Sequence, residues 1–222
     1  MKQILSFAID CFNNSSYNPI MTFLRRLRFI TVLCSLLFSV TTAQATLIDR
    51  IAGVIDGEVI TYSDLEIERI FKLSDGEDRD VLQYLIDRRL LLKEAEKFKI
   101  TESEEDLKKV QQRLLDIKIQ IGEDQFQKQL EEYSLAEQDI LKRLKDKVLV
   151  EKFIDFRINF FIVISDDAIK AYYNEHKDEF ADNESEVVHG QIKERLFQAE
   201  SKRRLEDYLG QLRRKAKISV NL

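Results

Sequence analysis

The fold of this chain is decided where its sequence changes from a strand pattern to a helix pattern, in residues 48–65, which read IDRIAGVIDGEVITYSDL. Apolar β-forming residues lie on both sides of Asp56-Gly57, a dipeptide that favours the tight turn of a two-residue β-hairpin. Thr61, followed three residues later by Asp64, has the spacing of a helix N-cap. The stretch therefore predicts a β-hairpin that leads directly into a helix.

A two-stranded hairpin is only marginally stable in water, so this one requires a partner. The other strand-like segment is Lys217–Val220, near the end of the chain. Pairing this segment with the hairpin is the economical prediction. The expected fold class is therefore mainly α, a multi-helix domain with a small β element formed by an N-terminal hairpin and the C-terminal strand.

Amphipathic periodicity predicts helices through almost all of the chain between these strands. Hydroxyl residues placed ahead of carboxylates mark further helix starts: Thr101 with Glu104, Ser134 with Glu137, and Ser165 with the acids that follow it. The predicted helices lie near 62–72, 78–98, 102–121, 123–133, 135–160, 166–178 and 185–214.

Residues 1–45 have the organisation of a secretory signal peptide. Arginines precede an apolar stretch at 29–40, and the small residues of a cleavage site follow at 43–45. We expect cleavage after Ala45, with Met21 as an alternative start of translation. Because the apolar stretch is shorter than the roughly twenty residues of a membrane span, we expect a periplasmic protein without stable membrane insertion after cleavage. An inner-membrane anchor formed by an uncleaved signal is the alternative.

We expect residues 46–222 to be a single helical domain, with an N-terminal part, 46–180, and a C-terminal helix and strand, 185–222. The composition of these residues limits the classes of function that they can have. The whole chain has a formal net charge of −5, and residues 1–45 contain four basic residues and one acidic residue, so 46–222 carry −8. Both cysteines lie in 1–45, which excludes disulfides and thiol catalysis from the exported part. The acidic balance argues against nucleic acid as a partner, because phosphate binding favours a basic face.

The sequence contains few residues that could form a catalytic site. It contains no nucleotide-binding or serine-hydrolase motif, and His176 and His189 lie among acidic residues without a cluster of metal ligands. The carboxylates at 104–106 and 166–167 stand at predicted helix N-termini, where acids interact favourably with the helix dipole. We expect no catalytic residues, no metal and no cofactor.

Aromatic and aliphatic side chains are concentrated in the region 153–173. Residues 159–164, which read NFFIVI, are apolar on every side, so this segment is either buried all round or lines an apolar groove that accepts a partner. Core packing is the alternative for every one of these side chains, because apolar residues at helical spacing are normally buried. The candidate groove residues are Phe153, Phe156, Phe160, Phe161, Tyr172 and Tyr173.

Four segments resemble, in the same order, the SurA-type periplasmic chaperones. Residues 48–65 resemble the opening of that family after its signal peptide, and residues 82–95, LQYLIDRRLLLKEA, resemble its second helix. Residues 163–173, VISDDAIKAYY, with the later Phe180, resemble the segment that introduces the family's Tyr-Tyr helix. Residues 192–220 resemble its C-terminal helix and strand. The resemblance covers essentially all of the chain after the signal peptide.

This resemblance implies a helical chaperone core, closed by N- and C-terminal strands, that holds unfolded outer-membrane polypeptides in a shallow cleft without ATP. In the family, one or two parvulin-type peptidyl-prolyl isomerase domains follow the Tyr-Tyr helix. Here only the short segment 181–186 separates Phe180 from the final helix, which leaves no room for such a domain. The resemblance therefore implies the SurA N-terminal domain without the isomerase.

Three functions remain open on the sequence. The first is an ATP-independent holdase for unfolded outer-membrane or other exported polypeptides, which the signal peptide, the ordered resemblance and the lack of catalytic motifs favour. The second is a peptidyl-prolyl cis-trans isomerase, which rests on family association alone. The third is a non-chaperone interaction module for a partner in the cell envelope.

Overall fold

The computed structural model of the protein describes residues 49–180 and 185–222. The predicted signal peptide, its cleavage after Ala45 and the alternative start at Met21 lie outside the described residues. Residues Ile48–Leu222 form one compact unit by their contacts.

Asp56 and Gly57 form the turn of a hairpin between β1 (Ile51–Ile55) and β2 (Glu58–Thr61). Both turn residues have positive φ angles, 50° and 91°, as a type I′ turn requires and as glycine adopts without strain. β3 (Ile218–Val220) pairs antiparallel with the other side of β1, so the strand order is β2-β1-β3. The predicted pairing of the hairpin with the C-terminal strand is confirmed.

The rest of the described chain is mainly helical, which confirms the predicted fold class. Its helices are α1 (Tyr62–Ile70), α2 (Asp78–Lys97), α3 (Glu104–Ile121), α4 (Glu123–Glu132), α5 (Glu137–Arg157), α6 (Asp166–Glu175) and α7 (Glu186–Lys215). Short 3₁₀ helices follow α5 at Asn159–Phe161 and α6 at Lys177–Phe180.

Two of the predicted helix caps are confirmed. The Thr61 hydroxyl accepts from the Asp64 N–H at 3.2 Å, and the Asp64 carboxylate accepts from the Thr61 N–H at 3.1 Å. The Ser165 hydroxyl caps α6 by accepting from the Ala168 N–H at 3.2 Å. Each bond satisfies a backbone donor that has no partner within its helix.

The predicted caps of α3 and α5 were wrong. α3 begins after Ser103 and not after Thr101, because the Asp106 carboxylate returns to the Ser103 N–H at 2.8 Å. α5 begins after Ala136, because Ser134 has a φ angle of 53° and ends the preceding helix α4 instead. The cap of α3 is a second hydroxyl residue and that of α5 is an alanine, so the geometry of the chain, and not residue type alone, sets where each helix begins.

Two helices end three residues earlier than predicted. α5 ends at Arg157, before residue 160, and α6 ends at Glu175, before residue 178. The Asn159 side chain fixes the first of these ends, since its amide donates to Asp155 at 2.7 Å and its carbonyl accepts from the Ser201 hydroxyl on α7 at 2.6 Å.

The buried apolar side chains form three clusters. The first packs the sheet against α2, the C-terminal half of α5 and the C-terminal half of α7, and it includes Phe153 and Leu209. The second joins α1, α3, α4 and the N-terminal half of α5 around the edge-to-face pair of Phe71 and Phe126, 5.3 Å apart. The third is a small cluster between α6 and the N-terminal half of α7, and it includes Tyr173. α7 therefore reaches from the third cluster to the first.

Candidate functional site

The C-terminal end of α5 and the 3₁₀ turn after it carry apolar side chains that the core leaves uncovered. Phe156 is 50% exposed, Phe160 79%, Phe161 58% and Val163 87%. In a helix that continued to residue 160, Phe153, Phe156 and Phe160 would share one face. Because α5 stops at Arg157, Phe160 does not continue that face, and of the two phenylalanines within the helix only Phe153 reaches the core.

Phe98 joins this region from a different element. It is the residue that ends α2, it is 46% exposed, and its ring lies 5.9 Å from that of Phe156. The sequence analysis missed Phe98, although a lone aromatic residue in the polar run 96–99 was a usable signal. We call Phe98, Phe156, Phe160, Phe161 and Val163 the aromatic end of α5.

Two of the six candidate groove residues belong to the core instead. Phe153 has no exposed surface, and its ring packs against Phe98 at 5.8 Å and Tyr208 at 6.1 Å. Tyr173 is only 8% exposed, within the small cluster between α6 and α7. For these two side chains the core alternative is therefore correct, because helical periodicity directs them at neighbouring helices.

Tyr172 is half-buried and lies in the α6–α7 cluster, where it is held by polar contacts. Its ring stacks on His176 at 4.0 Å, and its hydroxyl accepts from Arg195 at 2.8 Å. Arg195 also donates to Glu179 at 2.6 Å, and this bond lowers the pKa of Glu179. The pKa of Arg195 is raised by its bonds to Tyr172 and Glu179. Tyr172 thus stabilises the packing of α6 on α7, and its ring contacts are with His176 and Phe180.

The turn that carries Phe160 and Phe161 is tied to α7. Arg204 donates to the Phe161 carbonyl at 3.0 Å and to Glu200 at 2.6 Å. A cleft of about 220 Å³ lies beside Phe161, between this turn and α7, and the Arg157 guanidinium borders it 5.6 Å from the Tyr208 ring. The two exposed phenylalanines are therefore presented from an anchored turn.

A second, apolar cleft of about 290 Å³ lies between α2, α5 and α7. Its walls include Leu91, Val150, Ile154 and Leu205. Charged residues at its rim are already engaged, as in the ion pair of Arg213 with Asp87 at 2.5 Å. This cleft offers an apolar contact area between α2, α5 and α7.

One carboxyl group that lines a cleft, that of Asp146 on α5, has a raised pKa. Burial raises its pKa, against the opposing effect of the nearby Arg88, Lys142 and Arg143. It lines a polar cleft of about 650 Å³ between α2, α5 and β2. A raised carboxyl pKa is a general feature of acid–base sites, and Glu58, Glu96 and Lys142 also line this cleft.

Within residues 49–180 and 185–222, no group of three or more His, Cys, Asp or Glu side chains is arranged to hold a metal ion. None of the helices in this part of the chain is long and apolar enough to cross a membrane. Comparison with known proteins finds no family model that matches the chain and no curated protein that is similar to it.

Proposed function

We propose that the protein is an ATP-independent holdase chaperone of the periplasm, similar to the SurA N-terminal domain and without peptidyl-prolyl isomerase activity. Its ligands are unfolded outer-membrane or other exported polypeptides. The signal peptide and the ordered resemblance of four sequence segments support the location and the family. The aromatic end of α5 is the single structural observation that supports polypeptide binding.

The aromatic end of α5 exposes apolar rings in a highly charged protein. Charged residues make up 34% of the chain, yet four phenylalanines are between 46% and 79% exposed at this one end of α5. Exposed apolar side chains that recur in one place mark interaction sites more often than singly scattered ones do. An unfolded polypeptide is a natural ligand, because it exposes the apolar side chains that a folded partner would bury.

The expected affinity is modest. Complete burial of a phenylalanine side chain contributes about 1.5–3 kcal/mol, and association costs several kcal/mol in lost freedom of motion. Partial burial of four such rings therefore favours weak and reversible binding, which suits a chaperone that releases its ligand without ATP. The formal charge of −8 on residues 46–222 keeps such complexes soluble by mutual repulsion.

The decisive experiment is suppression of aggregation. An outer-membrane β-barrel protein unfolded in urea is diluted into buffer with the purified protein, without nucleotide, and light scattering is recorded. We expect suppression at near-stoichiometric amounts. Unchanged scattering at several-fold excess of the protein would contradict the holdase.

The two other functions give different results in companion assays. Acceleration of prolyl isomerisation in a proline peptide would support the isomerase and contradict the proposal. A pull-down from envelope extracts that returns one folded partner and no unfolded polypeptides would support an interaction module, which the aromatic end of α5 would also serve.

A further inference from the structure

The two edges of the sheet differ in how their backbone groups are used. On the outer edge of β2, the Val59 carbonyl accepts from the Arg89 guanidinium at 2.9 Å. The Thr61 N–H on the same edge donates to Asp64 at 3.1 Å. Side chains of the protein thus occupy this edge, which is one way in which proteins prevent the addition of a foreign strand.

β3 forms the opposite edge, and its pairing with β1 shows which of its groups are free. Lys217 and Asn221 bond to β1 through the Asp56 N–H and the Ala52 carbonyl, both at 2.9 Å, and Ser219 pairs with Val54. Alternate residues of an antiparallel strand point their N–H and C=O groups to opposite sides. The N–H and C=O groups of Ile218 and Val220 therefore face away from β1.

These four outward groups are open to a partner. Within residues 49–180 and 185–222, no hydrogen bond to another element engages them. Val220, on this edge, is 54% exposed. An exposed apolar side chain thus accompanies a row of free donors and acceptors, which is the combination that strand addition uses.

A polar cleft of about 610 Å³ lies beyond the end of β3, next to Leu222. Its lining contains more carboxylates than guanidinium groups, since Glu77, Asp78 and Asp80 face Arg69 and Arg79. Arg69 is already paired with Asp78. The remaining charges favour a basic residue at the end of an added strand.

We propose that β3 accepts an extended segment of an unfolded polypeptide as a fourth strand of the sheet, with a basic residue of that segment at the cleft beside Leu222. The proposal rests on the proposed function, because the occupant is the same class of ligand. It adds a second point of attachment that recognises the backbone, while the aromatic end of α5 recognises side chains. Two such points on one flexible polypeptide raise its apparent affinity.

A second copy of the chain is a weaker occupant than an unfolded polypeptide. β3 has three residues, and pairing two such strands buries far less than the roughly 1,200–2,000 Å² of a stable protein–protein interface. An unfolded polypeptide does not depend on this edge alone, because it contacts the aromatic end of α5 as well.

The test uses an eight-residue peptide of alternating valine and threonine with a terminal lysine and a fluorescent label. Hydrogen exchange of the purified protein, followed by NMR, should show the Ile218 and Val220 amides protected at least ten-fold by saturating peptide. The Ser219 amide, which already pairs with β1, should change little. A peptide that ends in glutamate should bind at least three-fold more weakly at low salt, and this difference should shrink at high salt.

Val220→Pro removes an outward donor without removing a bond to β1, and it should weaken peptide binding at least ten-fold. Val187→Pro is the matched control, because Val187 is an exposed valine in the first turn of α7, where proline is tolerated. It should leave the peptide affinity within two-fold. The hydrogen-exchange result on the unaltered protein tests strand addition at β3 even if Val220→Pro fails to fold.

Absence of protection at Ile218 and Val220 would overturn strand addition. Protection that grows with protein concentration in the absence of peptide would also overturn it, in favour of pairing between two copies. If the protein suppresses aggregation but shows no protection at these amides, only strand addition fails. If it does not suppress aggregation at all, the proposed function fails.

Discussion

The Arg88 guanidinium on α2 makes two hydrogen bonds, of 3.0 and 2.9 Å, to the Glu68 carboxylate on α1, and Glu68 has no solvent-exposed surface. Arg143 on α5 donates to the same carboxylate at 2.9 Å and to Asp64 at 2.8 Å. Three helices are therefore joined through one buried anion. A shift of α1 or α2 would separate Arg88 from Glu68 and leave a buried charge without its partner, which is strongly unfavourable.

Glu68→Gln should reduce the free energy of unfolding by about 3–5 kcal/mol, since the buried Arg88 then loses its counter-charge and Arg143 keeps only Asp64. Urea denaturation measures the change. Glu66→Gln is the matched control two residues away, because Glu66 is exposed and bonds only to the Tyr133 hydroxyl among the described contacts. We expect that control to cost less than about 1 kcal/mol. Equal effects of the two substitutions would show that burial of the charge is unimportant.

Asp106 should make stability depend on pH in the acid range. Its bond from Lys152, at 2.6 Å, and its bonds from Ser103 lower its pKa below the ordinary value. A carboxyl group with a lowered pKa in the folded state contributes stability that is present above its unfolded pKa of about 4 and is lost as the pH falls below it.

Asp106→Asn removes this contribution. The difference in unfolding free energy between the unaltered protein and this variant should be about 1–2 kcal/mol at pH 7 and should decrease steadily below pH 4. Lys152→Met should reduce the same pH dependence, because it removes the main cause of the shift. A difference that stays constant down to pH 2 would disprove the role of the charge.

Substitution of alanine for two glycines should change the stability of the protein in opposite directions. Gly57 has a φ angle of 91° in the hairpin turn, and alanine in this conformation costs about 1–2 kcal/mol. Gly190 lies inside α7, and a Cβ placed there meets no atom within 4 Å. Gly190→Ala should therefore stabilise the protein by about 0.5–1 kcal/mol. Thermal unfolding of both variants measures the two signs. Stabilisation by Gly57→Ala would be inconsistent with this hairpin, and destabilisation by Gly190→Ala would be inconsistent with open space at that position of α7.

Alanine substitutions of Phe153 and Phe156 should have different costs, because one ring lies in the core and the other at the surface. Phe153→Ala should cost about 3–5 kcal/mol because it opens a cavity beside Phe98 and Tyr208. Phe156 is half exposed, so Phe156→Ala should cost about 1 kcal/mol or less. Denaturant unfolding compares them directly. Similar costs would indicate that the two rings are buried to a similar extent.

The aromatic end of α5 should carry the chaperone activity. The double substitution Phe160→Ser and Phe161→Ser should reduce aggregation suppression several-fold, because it removes two exposed rings without touching the core. Ile119→Ser is the matched control, since Ile119 on α3 is 80% exposed, close to the 79% of Phe160. This control should retain full activity. An equal loss in both proteins would point to general surface hydrophobicity and not to this site.

Local sequence chemistry was sufficient for several elements of the fold. Asp56-Gly57 predicted the hairpin because few dipeptides tolerate two successive positive φ angles. Thr61 with Asp64 predicted the start of α1, because a cap is made by residues within one turn of each other. The existence of the helices followed from periodicity in the same way.

The wrong helix caps, the inclusion of Phe153 among the groove residues and the omission of Phe98 have a common physical cause. Thr101 and Ser103 are both competent caps, and the position of α5, which supplies Lys152 to Asp106, favours Ser103. Phe153 and Phe156 are equivalent in a periodic pattern, but only Phe153 lies against α2 and α7. Phe98 was overlooked because its importance comes from its distance to Phe156, 58 positions away in the sequence.

The sequence by itself therefore determined the hairpin, the helical body and the apolar character of residues 159–164, since each depends on neighbours along the chain. Only the tertiary structure decided which phenylalanines are exposed, that Glu68 neutralises both Arg88 and Arg143, and that one sheet edge is open. These features depend on residues brought together from different helices, and burial and ion pairing are properties of that arrangement, which no local pattern encodes.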